Sequence, residues 1–259
     1  MIYVAKPRRQ APRAFLEAAR KETQQVVALF ERARGKKPRF KFRAYRHPEL
    51  IKTLEQLFCD KCAYCEMRYS SVGYLEVEHY RPKSHYYWLA AEWSNLLPSC
   101  KRCNNGKLNK FPLADARKQA RRKGQERQER PLLLNPSDPA RTRRPDQHLT
   151  FDPADGAVRA LQKRGKPSEL GMKSIEVYRL TRVGLALERK SWALRVRSQI
   201  AFCRLARRKG TAAECEAAFQ GLKDLLQPDQ PFRALTIQIL RQNGFTSLRS
   251  HRARRRSTG

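Results

Sequence analysis

Cys62-Ala-Tyr-Cys65-Glu66, Leu75-Glu-Val-Glu78-His79-Tyr-Arg81-Pro-Lys83 and Trp93-Ser-Asn95-Leu-Leu-Pro-Ser-Cys100-Lys-Arg-Cys103-Asn104-Asn-Gly-Lys107 are the segments on which the fold turns. Two Cys-x-x-Cys pairs bracket an acid–His pair. Four thiolates at that spacing are enough for one tetrahedral zinc ion, so Cys62, Cys65, Cys100 and Cys103 are the expected ligands. About 34 residues separate the pairs, more than a simple zinc ribbon holds, so the metal would close a loop carrying other machinery. Cys59 makes a third Cys-x-x-Cys step with Cys62 and competes as a ligand; the Tyr-Cys-Glu context favours Cys62 and Cys65. Glu66 either orients a neighbour or sits on the surface.

Inside the loop, Leu75–Tyr80 alternates and reads as a short strand that Pro82 ends, because proline has no N–H for a ladder. A His at a strand end with a carboxylate beside it suits general-base chemistry next to a metal ligand. The pair alone is weak evidence. Enclosed by the cysteines and followed by Asn104 and Lys107, it points to phosphodiester chemistry.

These residues resemble the HNH endonucleases, which have a ββα-metal fold. Glu78-His79 matches the family's first element, Asn95 the second, and Asn104 the third, at the start of a helix. The resemblance implies His79 as general base and Glu78 with Asn104 as ligands of a catalytic divalent ion. It implies Asn95 as a brace for the loop and Lys107 facing substrate phosphate, with Arg81 and Lys83 as further phosphate contacts in falling order. Asn in place of the commoner final His suits Mg²⁺ or Mn²⁺; Glu in place of Asp puts the metal geometry in question. Together with Leu133-Leu-Asn-Pro136, the motifs more narrowly resemble the HNH subunit of Septu-type anti-phage systems, relatives of which accompany some retrons. That likeness runs from the N-terminus to about Arg189. It implies a partner ATPase, since the chain has no Walker motif of its own.

Composition points the same way. Fifty-six Lys and Arg against 24 Asp and Glu give a formal charge of +32 over 259 residues. Such an excess calls for a polyanionic partner, most simply nucleic acid. Charge responds to phosphate on either sugar, so structured RNA such as tRNA stands beside DNA, the first expectation. A zinc-dependent binding module without catalysis would explain cysteines and charge but leave Glu78-His79 and Asn104 as coincidences. No apolar run approaches a membrane span and no secretory leader is visible, so no membrane is expected. Seven cysteines, five of them between Cys59 and Cys103, fit metal binding in a reducing bacterial cytoplasm better than disulfides.

The expected fold class is α+β, mostly α, with the small zinc-pinned module embedded between helical segments. The expected divisions are a helical N-terminal segment (1–60), the HNH module (61–112), a basic linker (113–134), a helical C-terminal region with a small hairpin (135–248) and a basic disordered tail (249–259). Residues 2–4 could form an edge strand. Pro12 opens a helix that Gly35 ends, and Pro48 opens a second. Phe40 and Phe42 pack or stack on bases, and His85 reads as a loop residue. Asp155-Gly156 is a hairpin tip. Ser174 is expected to cap a short helix, Thr211-Ala-Ala-Glu214 forms a capping box, Pro231 opens the last helix and Asn243-Gly244 stops it.

Overall fold

The computed structural model describes residues 1–33, 38–69 and 73–245. Gly35 and the basic tail from Arg249 lie outside them. The fold is α+β and mostly α.

Helix α1 (Arg13–Arg32) starts after Pro12, which holds the extended N-cap conformation. It buries Phe15, Ala19 and Val26 at helical spacing. Helix α2 (Pro48–Phe58) opens on Pro48 and buries Leu50, Leu54 and Phe58. Cys59 ends it in the left-handed conformation, turning the chain into the first cysteine knuckle.

Strands β1 (Glu76–His79) and β2 (Leu96–Ser99) pair antiparallel, with Glu78 opposite Leu97 and His79 opposite Leu96. Helix α3 (Lys101–Lys107) follows β2 directly, which completes a ββα unit. The N–H of Ala63 donates to the carbonyl of Pro98 at 2.9 Å, so the first knuckle hangs on β2 while the second grows out of its end. That is how residues 35 positions apart come to share one cluster.

The segment 113–134, expected as a linker, folds back on the module. A bridge joins Leu113 to Pro131, and buried Glu129 accepts from Arg81 Nε at 2.9 Å and from the Tyr86 hydroxyl at 2.6 Å. Its Leu133 and Leu134 carbonyls then take the hydroxyls of Tyr80 and Tyr178.

The expected hairpin is β3 (Leu149–Phe151) with β4 (Val158–Ala160). Gly156 sits at φ +71°, and a Cβ there would collide with the Ala186 carbonyl, so both backbone shape and space require glycine. A second, two-residue hairpin, β5 (Gln162–Lys163) with β6 (Lys166–Pro167), was not foreseen.

Helix α4 (Glu169–Val177) is capped by Ser168, not Ser174. Ser174 lies buried within it, where its hydroxyl accepts from the Leu134 N–H at 2.8 Å. Helix α5 (Val183–Lys209) carries a buried face of Leu185, Trp192, Val196, Ile200 and Cys203. The Thr211–Glu214 capping box opens α6 (Ala212–Asp224). Helix α7 (Arg233–Gln242) ends at Asn243, with Gly244 at φ +85°. It begins two residues after Pro231, at a left-handed Phe232. Residues 2–4 form no strand, although Val4 N–H donates to the Pro136 carbonyl. One apolar core runs from Met1 to Leu240, so the ββα unit shares its interior with the flanking helices.

Candidate active site and thiol cluster

The four cysteines of the two knuckles are buried, and their sulfurs all lie within 4.8 Å of one another. A tetrahedral zinc with bonds of about 2.3 Å needs its sulfurs roughly 3.8 Å apart; Cys65 and Cys100 stand at 3.9 Å. The donor set therefore fits zinc in both chemistry and spacing. Cys59 is outside the group and turns its thiol to the Gln56 carbonyl. Arg182, at the N-cap of α5, brings Nη1 to 3.5 Å from Cys103 Sγ. Four thiolates around a dication would leave two negative charges, part of which this guanidinium would offset. Glu66 is buried beside the first knuckle, paired with the Met1 ammonium at 2.6 Å and accepting the Ala234 N–H.

His79 closes β1 with its ring buried and Tyr45 edge-on at 4.8 Å. Its Nε2 is 2.9 Å from the Ala90 carbonyl. A carbonyl only accepts, so Nε2 carries the proton and Nδ1 is the basic nitrogen. Burial, with the charge of Lys83 adding to it, lowers the His79 pKa to about 3. The ring is therefore neutral across the physiological range.

Glu76 and Glu78 are two residues apart on β1 and share a face. That face meets the Asn104–Lys107 side of α3. Lys107 Nζ lies 2.6 Å from Glu78 Oε1 and donates to the His79 carbonyl at 2.7 Å. Burial pushes the Glu78 carboxyl up and the Lys107 ammonium down, and each partner's charge opposes the other's shift. Asn104 donates Nδ2 to Glu76 Oε2 at 2.6 Å. A carboxylate offers no proton, so the amide oxygen of Asn104 faces away from Glu76. That oxygen and the second carboxylate oxygen of Glu78 are hard donors of the kind Mg²⁺ and Mn²⁺ prefer.

Asn95 acts as a clamp. Its Oδ1 accepts the Arg81 N–H at 2.7 Å, and its Nδ2 donates to the Arg81 and Leu89 carbonyls at 3.0 Å each. It ties the end of β1 to the loop whose Ala90 carbonyl orients His79.

The three cations expected on substrate phosphate have different fates. Lys107 is 0 % exposed and held by Glu78, so it cannot reach substrate from this position. Arg81 is paired with Glu129. Lys83 has no carboxylate partner among the described residues and lies 4.9 Å over the Tyr45 ring, on the His79 side. Of the three, Lys107 and Arg81 are held by buried carboxylates and Lys83 is not, among the described residues. His85 is a loop residue with Nε2 3.0 Å from the Ala120 carbonyl.

Residues 62–110 match the sequence model of the HNH endonuclease family. They form an HNH domain. An alignment of 168 residues, covering 60% of this chain and 54% of the other, is 38% identical to Septu protein PtuB of Bacillus mycoides (strain KBAB4). A second match, 48% identical over 61 residues, is to Septu protein PtuB of Bacillus thuringiensis, over 23% of this chain and 24% of that one. Septu protein PtuA of the same B. mycoides strain is 30% identical over 131 residues, 45% of this chain and 18% of that protein. The chain is PtuB-like and spans about half the length of the first of these relatives.

Sequence reasoning missed Glu76, Glu129 and Arg182 around the HNH domain. The i, i+2 relation to Glu78 is a signal that could have found Glu76. No local signal marks Arg182, 79 residues from Cys103.

Proposed function

We propose that this chain is an endonuclease that hydrolyses phosphodiester bonds in nucleic acid, with His79 as general base. The observation that carries the reading is the His79 ring, whose Nε2 is locked on the Ala90 carbonyl and whose neutral Nδ1 is left as the basic nitrogen. His79 takes a proton from water, the water attacks phosphorus in line, and the P–O3′ bond breaks to give 5′-phosphate and 3′-hydroxyl ends. Glu78 and Asn104 would hold Mg²⁺ or Mn²⁺, which when bound supplies positive charge to the crowded phosphate and the departing oxygen. Asn95 keeps the loop, and so the ring orientation, fixed. Lys83 is the first phosphate contact.

Four thiolates would hold one structural zinc, which brings both ends of the catalytic loop together. DNA is the preferred substrate class, and structured RNA is the alternative that the assay below distinguishes. Similarity to Septu proteins PtuB and PtuA supports a role in a Septu-type anti-phage system, in which the ATPase would be a separate subunit. Reduced, closely grouped thiols suit the cytoplasm, and no helix among the described residues is long and apolar enough to cross a membrane.

The test is cleavage of duplex DNA, single-stranded DNA and tRNA by the purified chain, with Mg²⁺ or EDTA, beside His79→Ala. The variant should keep zinc and nucleic-acid binding while turnover falls at least about a hundredfold, the loss expected for a positioned base. If His79→Ala cleaves as well as the parent, a zinc-dependent binding module becomes the better reading.

A further inference from the structure

The Lys107 ammonium is buried at the centre of the acid–His pair, bridging the Glu78 carboxylate at 2.6 Å and the His79 carbonyl at 2.7 Å. Its position in the fold leaves it little choice. Asn104 and Lys107 are three residues apart on α3, as Glu76 and Glu78 are two apart on β1, so the two elements meet through two polar pairs in register. One pair is Asn104–Glu76, which orients the amide. The other is Lys107–Glu78, which places a cation in direct contact with a buried carboxylate.

We propose that Lys107 is the resident counter-cation of this site, a positioning residue that occupies Glu78 until a divalent cation shares it and that thereby sets the site's divalent-cation requirement. The proposal rests on reading Glu78 as a divalent-cation ligand. An ammonium and a divalent ion on one carboxylate repel across a few ångströms, and burial leaves that repulsion poorly screened. Lys107 therefore weakens cation binding at Glu78. In return it holds Glu78 and the His79 backbone in place when no divalent ion is bound. Arg at 107 would keep the charge and most of the effect. A neutral side chain there would leave Glu78 to the divalent ion alone.

The experiment uses the full zinc-loaded chain and Mn²⁺ alone as the probe, with free Mn²⁺ followed by electron paramagnetic resonance. Lys107→Met should bind Mn²⁺ at least about tenfold more tightly than the parent, the direction that removal of a like charge dictates. Lys107→Arg should bind as the parent does, and Glu78→Gln should lose the site. In thermal melts, Lys107→Met should be destabilised without Mn²⁺ and recover with it by more than the parent gains. Lys107→Gln keeps a donor for the His79 carbonyl and serves where Lys107→Met does not fold. Mn²⁺ binding that is unchanged or weaker in both neutral variants overturns the proposal, as does a Mn²⁺ titration indifferent to Glu78→Gln. Tighter Mn²⁺ binding in chains that cleave no nucleic acid supports the cation role and removes the nuclease reading. Cleavage by the parent with an unchanged Mn²⁺ titration in the variants removes only the role of Lys107.

Discussion

The interior of residues 62–110 holds four thiols, a Lys–Glu pair and a histidine. The interior of α5, α6 and α7 holds Val196, Ile200, Ala218, Leu222, Leu235 and Ile239. The first set is costly to desolvate: Lys107 and Glu78 offset one another, the His79 ring has the Ala90 carbonyl, and a bound zinc would offset the thiolates. The second gains from removal of apolar surface from water and needs no partner beyond good packing. The contrast separates two kinds of interior, one that buries charged and polar groups and a neighbouring apolar layer that makes such burial tolerable. Arg182 joins the two, reaching from the start of α5 to Cys103.

Removing the metal is the sharpest way to break the contrast. Structural zinc supplies on the order of 10 kcal/mol in zinc-finger peptides, more than a small ββα unit gains from its own core. Cys100→Ser should therefore lose close to one zinc per chain by elemental analysis and unfold the HNH domain. Cys59→Ser should keep both metal and fold. Full metallation of Cys100→Ser would refute the ligand set.

A cavity in the apolar layer should act elsewhere. Leu222 is fully buried, so Leu222→Ala is expected to cost about 2–5 kcal/mol in urea unfolding. Zinc content should stay at the parent's level. Loss of zinc from this variant would show that the two regions do not hold their contents independently.

The smallest effect is a pH dependence that sits outside the HNH domain. His148 is held between the Ser168 hydroxyl at 2.6 Å and the Thr142 carbonyl at 2.7 Å. Burial lowers its pKa below the usual 6.5, and nearby Lys163 and Arg143 act in the same direction against the Thr142 hydrogen bond. A lowered folded pKa means that the unfolded chain takes up the proton first. The contribution is thus present above about pH 6.5 and fades as pH falls toward the folded value. His148→Gln should flatten that part of the stability–pH curve, read from thermal melts at constant ionic strength. An unchanged slope would place the acid sensitivity in other groups.

The site's ingredients were legible because their meaning is local. Cys-x-x-Cys spacing, the acid–His step and Asn104 each sit within a few residues of their partners. The Thr211–Glu214 capping box was legible for the same reason. Ser168 and Ser174 show where local reading fails. Both can cap a helix, and the Leu134 N–H, 40 residues away, claims the hydroxyl of Ser174. The segment 113–134 misled because its charge suggests solvation, whereas Glu129 is taken inward by Arg81 and Tyr86.

By itself the sequence determined the ligand types, the acid–His pair, the order of strand, strand and helix, and the excess of positive charge, since spacing and composition are properties of the chain. Only the tertiary structure decided which charges are free. Lys107, Arg81 and Lys83 look alike in sequence, yet two are bound to the buried carboxylates of Glu78 and Glu129. The reason is physical. A carboxylate drawn into a low-dielectric interior takes the nearest cation with it, and nearness is set by how β1, α3 and the 113–134 segment pack.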